Sequence, residues 1–215
     1  MKRVLSLGFI VVITLFALVS CVTFNGRGPI SVAIAMDHSG SMIGAPFSNA
    51  INASKFLVQN ALTDFDEVAY VGFADYGDQV KFPSTGFTSK NQMLSFLNGS
   101  LTASGATALY DGLYYSAKRM DSANSSNRKY IVLLTDGWEN ASIHTKSEAI
   151  SACTSRNITV FTIGYAPSQN DVEESFLKDV ANATGGKYFY APDNATLQAI
   201  FGEIIENISG DAYLK

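Results

Sequence analysis

A chain of 215 residues, 47% hydrophobic and 12% aromatic, can bury one sizeable core and is too short for two comfortable domains. Only 16% of its residues are charged, the formal net charge is −4 and the pI is near 5.1. That composition excludes long disordered tracts, and an acidic surface repels phosphate backbones, so no DNA or RNA partner is expected.

The chain opens with a targeting segment. Met1-Lys2-Arg3 is basic, Val4 to Val19 is almost wholly apolar, and Leu18-Val19-Ser20 places small or apolar residues ahead of Cys21. This resembles a bacterial lipobox, in which the cysteine is lipidated and becomes the mature N-terminus; a plain signal peptide or an uncleaved anchor is the alternative. The expected organisation is a signal peptide at 1–20, the lipidated Cys21 and a short linker at 21–29, and one domain at 30–215. Losing Lys2 and Arg3 lowers Lys+Arg from 15 to 13 against 19 Asp+Glu, a net −6. Val22 to Pro29 spans at most about 28 Å, which keeps the domain close to its membrane, in the cell envelope on the periplasmic or cell-surface side. The second cysteine, Cys153, shares helical spacing with Ala149 and Ile150 and reads as a small buried hydrophobe, leaving no disulfide framework. One feature fits less well. Asn-x-Ser/Thr sequons begin at Asn52, Asn98, Asn124, Asn140, Asn157, Asn182, Asn194 and Asn207. They suit a glycosylated secreted protein, but a chain rich in Asn, Ser and Thr produces such matches by composition, and the lipobox reading is kept.

Apolar runs and amphipathic stretches then alternate. Ser31 to Met36 is a short apolar run, as in a strand buried on both faces. Pro46 to Leu62 reads as a helix with proline in its first turn, Glu67 to Ala74 as a strand, Val80 to Phe82 as an edge strand beside Pro83, and Asn91 to Leu97 as a short helix. Leu109 to Met120 is helical and Lys129 to Leu134 a central strand. Lys146 to Ser155 (helix), Thr159 to Ile163 (strand), Glu173 to Ala183 (helix, stopped by Gly185-Gly186), Lys187 to Tyr190 (strand) and Ala195 to Ile208 (helix) complete the series. Such alternation predicts an α/β fold: a doubly wound, mostly parallel six-stranded sheet with helices on both faces. Its strand order is expected to be 3-2-1-4-5-6, with strand 3 an antiparallel edge.

In such sheets ligands bind beyond the carboxyl ends of strands where the order reverses. Asp37-His38-Ser39-Gly40-Ser41 follows the first strand and Thr135-Asp136-Gly137 follows Lys129 to Leu134, so two carboxylates meet at one sheet edge. Like charges that close repel unless a cation lies between them. Ser39, Ser41 and Thr107, the last in Ser104-Gly-Ala-Thr-Ala-Leu109, can complete an all-oxygen shell, which suits Mg²⁺ or Mn²⁺ rather than Zn²⁺. Taken singly, Ser39 and Ser41 read as capping or turn residues; three segments in the right order favour the site.

With these residues the chain resembles the von Willebrand factor type A domain over about residues 29 to 208. Its metal-ion-dependent adhesion site is matched by Asp37, Ser39, Ser41, Thr107 and Asp136, and Gly-Ala-Thr-Ala-Leu-Tyr-Asp and Leu-Leu-Thr-Asp-Gly look like family signatures. The resemblance implies that Ser39, Ser41 and Thr107 touch the metal directly while Asp37 and Asp136 act mainly through water. Little negative charge then reaches the ion, and a partner's Asp or Glu carboxylate can fill its open position. His38 is expected to point away from the metal. Trp138, Asp75, Tyr76 and Tyr110 are candidates for a partner-contacting rim, and His144 reads as a loop residue of no special role.

Function follows as a membrane-tethered, metal-dependent protein-binding module, with a scaffold subunit of an envelope complex, its metal purely structural, as the alternative. An enzyme is not expected: Gly40-Ser41-Met42-Ile43-Gly44 is not Gly-x-Ser-x-Gly, and neither histidine has an evident catalytic partner. Sliding of the last helix, which switches affinity in related domains, would here have to be driven by the ligand.

Overall fold

In the computed structural model, residues 27–210 are described; the targeting segment and Cys21 lie outside them. Six strands and six helices alternate: β1 (Ile30–Asp37), α1 (Ala45–Ala61), β2 (Glu67–Phe73), β3 (Val80–Phe82), α2 (Lys90–Leu97), α3 (Leu109–Arg119), β4 (Arg128–Thr135), α4 (Lys146–Thr154), β5 (Ile158–Tyr165), α5 (Glu174–Thr184), β6 (Tyr188–Ala191) and α6 (Asn194–Gly210). They form one sheet ordered β3-β2-β1-β4-β5-β6, parallel except for the β2–β3 pair. This is the expected fold and strand order. Among the described residues, no helix is long and apolar enough to cross a membrane.

Side-chain alternation along the sheet explains the two layers. Every residue of β1 is buried, and Val32, Ile34 and Met36 face the core under α1 and α6, joined there by Leu57, Leu197 and Phe201. Ala33 and Ala35 face the opposite core, with Leu109 and Leu113 of α3 and Phe176 of α5. Small residues on that face let α3 approach closely; a Cβ on Gly112 would lie 2.3 Å from the Phe73 ring. Cys153 is buried in this second core, and burial pushes its thiol up to about 12.

Local signals set the ends of elements. Ser89 and Thr145 close capping boxes with Gln92 and Glu148 at α2 and α4, and left-handed Gly185 (φ 70°) ends α5. At the edge where the parallel strands begin, Arg27 donates to both Asp66 oxygens at 2.9 and 2.6 Å. Asp66 also accepts the backbone N–H of Ile30, at the start of β1, and that of Thr63. Burial alone would raise the Asp66 pKa, but these bonds, led by Arg27, outweigh it and hold the carboxyl below its usual range. No local sequence spacing announces this ion pair, whose partners are 39 positions apart.

Candidate metal centre

At the opposite edge, β1 and β4 end side by side and deliver Asp37 and the Thr135-Asp136 pair to the switch point. The chain after Asp37 turns at once: Ser39 N–H donates to Asp37 Oδ1 at 2.7 Å, and residues 40–42 form a single 3-10 turn that raises Ser41 to the surface. Ser39 Oγ lies 3.0 Å from Ser41 Oγ, and Ser41 donates to Asp136 Oδ1 at 2.6 Å. Asp37 Oδ2 is held by the Thr135 hydroxyl at 2.6 Å. A Cβ at Gly137 would lie 3.6 Å from Thr107 Oγ1 and 3.9 Å from Ser41 Oγ, so these two hydroxyls flank one glycine. All five residues picked from the sequence therefore converge.

The Thr107 loop is pinned from three sides. Gly40 N–H donates to the Gly105 carbonyl, Ser104 N–H to the His38 carbonyl, and Thr107 N–H to Asn140 Oδ1 at 2.8 Å. Asp75 accepts Ala106 N–H at 2.8 Å and packs so tightly under Gly105 that a Cβ there would lie 2.5 Å from its carboxylate. Gly105 also has φ +89°, so only glycine fits both demands. His38 points away, as expected. Its Nδ1 lies 2.8 Å from the Thr102 carbonyl, so that nitrogen carries the proton, and its Nε2 accepts from Tyr70. Burial lowers its pKa, against the opposing pull of Thr102, and the ring stays neutral.

Electrostatically the site is an unbalanced pair of anions. Asp37, fully buried, is pushed up to about 6, first by burial and further by Asp136, against the bonds from Ser39 and Thr135. Burial also raises Asp136, against its bond from Ser41. Among the described residues, neither carboxylate meets a cationic side chain. The donor set fits a small hard dication: every group is oxygen, and the 3.0 Å serine separation matches the edge of about 3 Å that an octahedron of Mg–O bonds requires. Among the described residues no three His, Cys, Asp or Glu side chains gather as a cage. The cluster holds only two acids and is otherwise hydroxyl.

The rim divides. Trp138 is 54% exposed, its indole N–H donating to the Asn170 carbonyl, and Tyr76 is exposed in the loop after β2 at the same sheet edge. Ile43 and Ile143, which sequence reading passed over, are exposed on the same loop edge, Ile143 at 85%. Asp75 is exposed, but its carboxylate is spent on the Thr107 loop. Tyr110 is not a free rim residue: its hydroxyl donates to Glu173 Oε1 at 2.5 Å and its ring packs on Phe176. His144 is a correction too. It stacks on Tyr114 at 3.7 Å, and both its Nδ1 and its backbone N–H meet buried Asp111. Glu139 accepts Tyr110 N–H, Ala141 N–H and Ser142 N–H, so the loop after Asp136 is braced by acids throughout.

A doubly wound α/β domain with such an oxygen cluster at its switch point belongs to a class built to present a site at loop tips rather than in a deep cleft. The chain belongs to the von Willebrand factor type A domain family, whose description matches residues 31–203. Domains of this family are typically non-catalytic modules that bind protein ligands. Human cochlin is 23% identical over 191 residues, covering 85% of this chain and 32% of cochlin. An uncharacterized Synechocystis protein is 22% identical over 184 residues, covering 85% of this chain and 42% of that one. The chain thus spans less than half the length of these relatives. A von Willebrand factor type A protein from Catenulispora acidiphila superposes with a TM-score of 0.70 at 27% identity, over 85% of this chain and 43% of that one. Proximal thread matrix protein 1 of the mussel byssus, in a structure with a zinc-occupied adhesion motif, gives 0.69 at 22% identity, over 86% of this chain and 46% of that one.

Proposed function

We propose that this protein is a membrane-tethered module that captures a partner protein through a divalent metal, Mg²⁺ or Mn²⁺, held by Ser39, Ser41, Thr107, Asp37 and Asp136. One observation carries the reading: fully buried Asp37 and half-buried Asp136 share one sheet edge with no cationic side chain among the described residues to balance them. When bound, the metal supplies an electrophile that an Asp or Glu of the partner can approach. The chain's own residues do the rest. Ser39, Ser41 and Thr107 offer neutral oxygens, so little protein charge offsets the cation. Thr135 and the Ser39 N–H fix Asp37, and Asn140 and Asp75 fix the Thr107 loop. Trp138, Tyr76, Ile43 and Ile143 offer apolar surface to the partner's flanking residues.

Lipidation at Cys21 would place the start of β1 toward the membrane and the site about 23 Å further out, facing away from it. Removing metal with a chelator should abolish capture of the partner from envelope extracts, and added Mg²⁺ should restore it. Capture that persists in chelator contradicts the proposal. The full burial of Asp37 favours a second reading, in which the metal only welds loops in an envelope scaffold. Under that reading Asp136→Ala lowers the melting temperature without selectively losing a partner; under the first it loses the partner while the fold holds.

A further inference from the structure

The eight sequons, put down to composition above, exceed what composition supplies. Serine and threonine fill 37 of 215 positions, so chance would complete about two of the 14 asparagines into sequons. Eight are complete, and none has proline in the middle. All eight sequon asparagines are exposed; outside sequons, Asn60, Asn91 and Asn170 are exposed as well, and Asn49 and Asn127 are half-buried.

The side-chain amides differ in the same direction. Among the described residues, Asn49, Asn60 and Asn127 commit Nδ2 to Tyr165, the Phe56 carbonyl and Ser31, three of the five non-sequon asparagines. Of the eight in sequons only Asn207 does so, to the Glu203 carbonyl of its own helix. Asn124 and Asn140 bond through Oδ1 alone, leaving Nδ2 to the solvent. At seven of the eight sequons, the nitrogen that would carry a sugar is thus an atom the fold leaves unused.

We propose that the chain is N-glycosylated at these exposed sequon asparagines. The reaction joins the Asn Nδ2 to the anomeric carbon of an oligosaccharide carried on a polyprenyl phosphate. The new N–C bond replaces the sugar–phosphate C–O bond, the lipid phosphate leaves with the bonding electrons, and the amide loses one proton. Ser54 of the Asn52 sequon is fully buried in α1, so transfer there precedes folding. Asn124, Asn157, Asn182 and Asn207 lie at the sheet edge where β4, β5 and β6 begin and α6 ends, opposite the metal centre. Asn140 alone stands in the loop that carries Asp136, and its Oδ1 keeps its bond to Thr107 when Nδ2 is substituted. Four glycans would therefore crowd the tethered end, while Asn140 and Asn194, the latter starting α6 just past the carboxyl end of β6, would put two more on the edge that carries the metal centre. The inference needs export of the chain but not the metal site, so failure of either leaves the other standing.

The test is glycopeptide mass spectrometry on the full chain purified from the cells that make it, beside Ser100→Ala and Ser126→Ala variants expressed in the same cells. Sequon peptides should carry glycan masses while those of Asn49, Asn60 and Asn127 run unmodified. Each variant should lose the glycan at Asn98 or Asn124 alone, with its melting temperature retained. Eight sequon peptides at their unmodified mass overturn the inference, as does a glycan that persists on Asn98 after Ser100→Ala.

Discussion

Two buried aspartates stand at opposite ends of β1, and they are treated in opposite ways. Asp66, bonded to the N–H of Ile30 where β1 starts, has Arg27 on both oxygens and is held below the usual carboxylate range. Asp37, the last residue of β1, has only hydroxyl and amide donors among the described residues, faces Asp136, and is pushed up to about 6. One end of the strand brings its own counter-cation; the other is left needing one. A buried anion without a partner is costly, and its retention beside a second carboxylate is the ground on which the cation site is proposed.

Breaking the balanced end should cost most. Arg27→Ala strands the Asp66 charge, and urea denaturation should show a loss of about 3–5 kcal/mol while the melting-temperature rise with Mg²⁺ survives. At the other end Asp37→Asn should stabilise the metal-free chain at pH 7, by up to about 3 kcal/mol, because it removes the unbalanced charge. The same variant should lose the rise with Mg²⁺.

The two ends should also differ in pH response. The raised Asp37 carboxyl leaves the metal-free chain with stability that is full below about pH 4 and fades as pH climbs through about 6. The depressed Asp66 carboxyl contributes stability that is full above its ordinary range and disappears as pH falls through its lowered value. Melting curves in chelator should therefore lose their alkaline decline in Asp37→Asn and their acid decline in Asp66→Asn. The smallest effect on the fold belongs to the rim. Trp138→Ala should shift stability by no more than about 0.5 kcal/mol yet weaken partner capture about tenfold, as read by binding to the immobilised chain.

Sequence reading reached the unbalanced end and missed the balanced one, for a physical reason. Asp37, Ser39 and Ser41 lie within one turn, and Thr107 and Asp136 follow recognisable strand and loop signals, so topology alone brings them together. Strand and helix boundaries were legible because Val32, Ile34 and Met36 alternate with Ala33 and Ala35 between two cores. Arg27 and Asp66 are 39 positions apart on connecting segments with no periodic pattern. The bracing of the Asp136 loop was hidden in the same way. Tyr110 meets Glu139 and Glu173, and His144 meets Asp111, across 29 to 63 positions, and no local spacing announces such bonds.

The most direct test of the unbalanced end is a calorimetric titration of the metal-stripped chain with Mg²⁺, beside Asp136→Asn. The account predicts one saturable site in the parent chain and none in the variant. A parent chain that takes up no Mg²⁺, or a variant that binds it as the parent does, would contradict it.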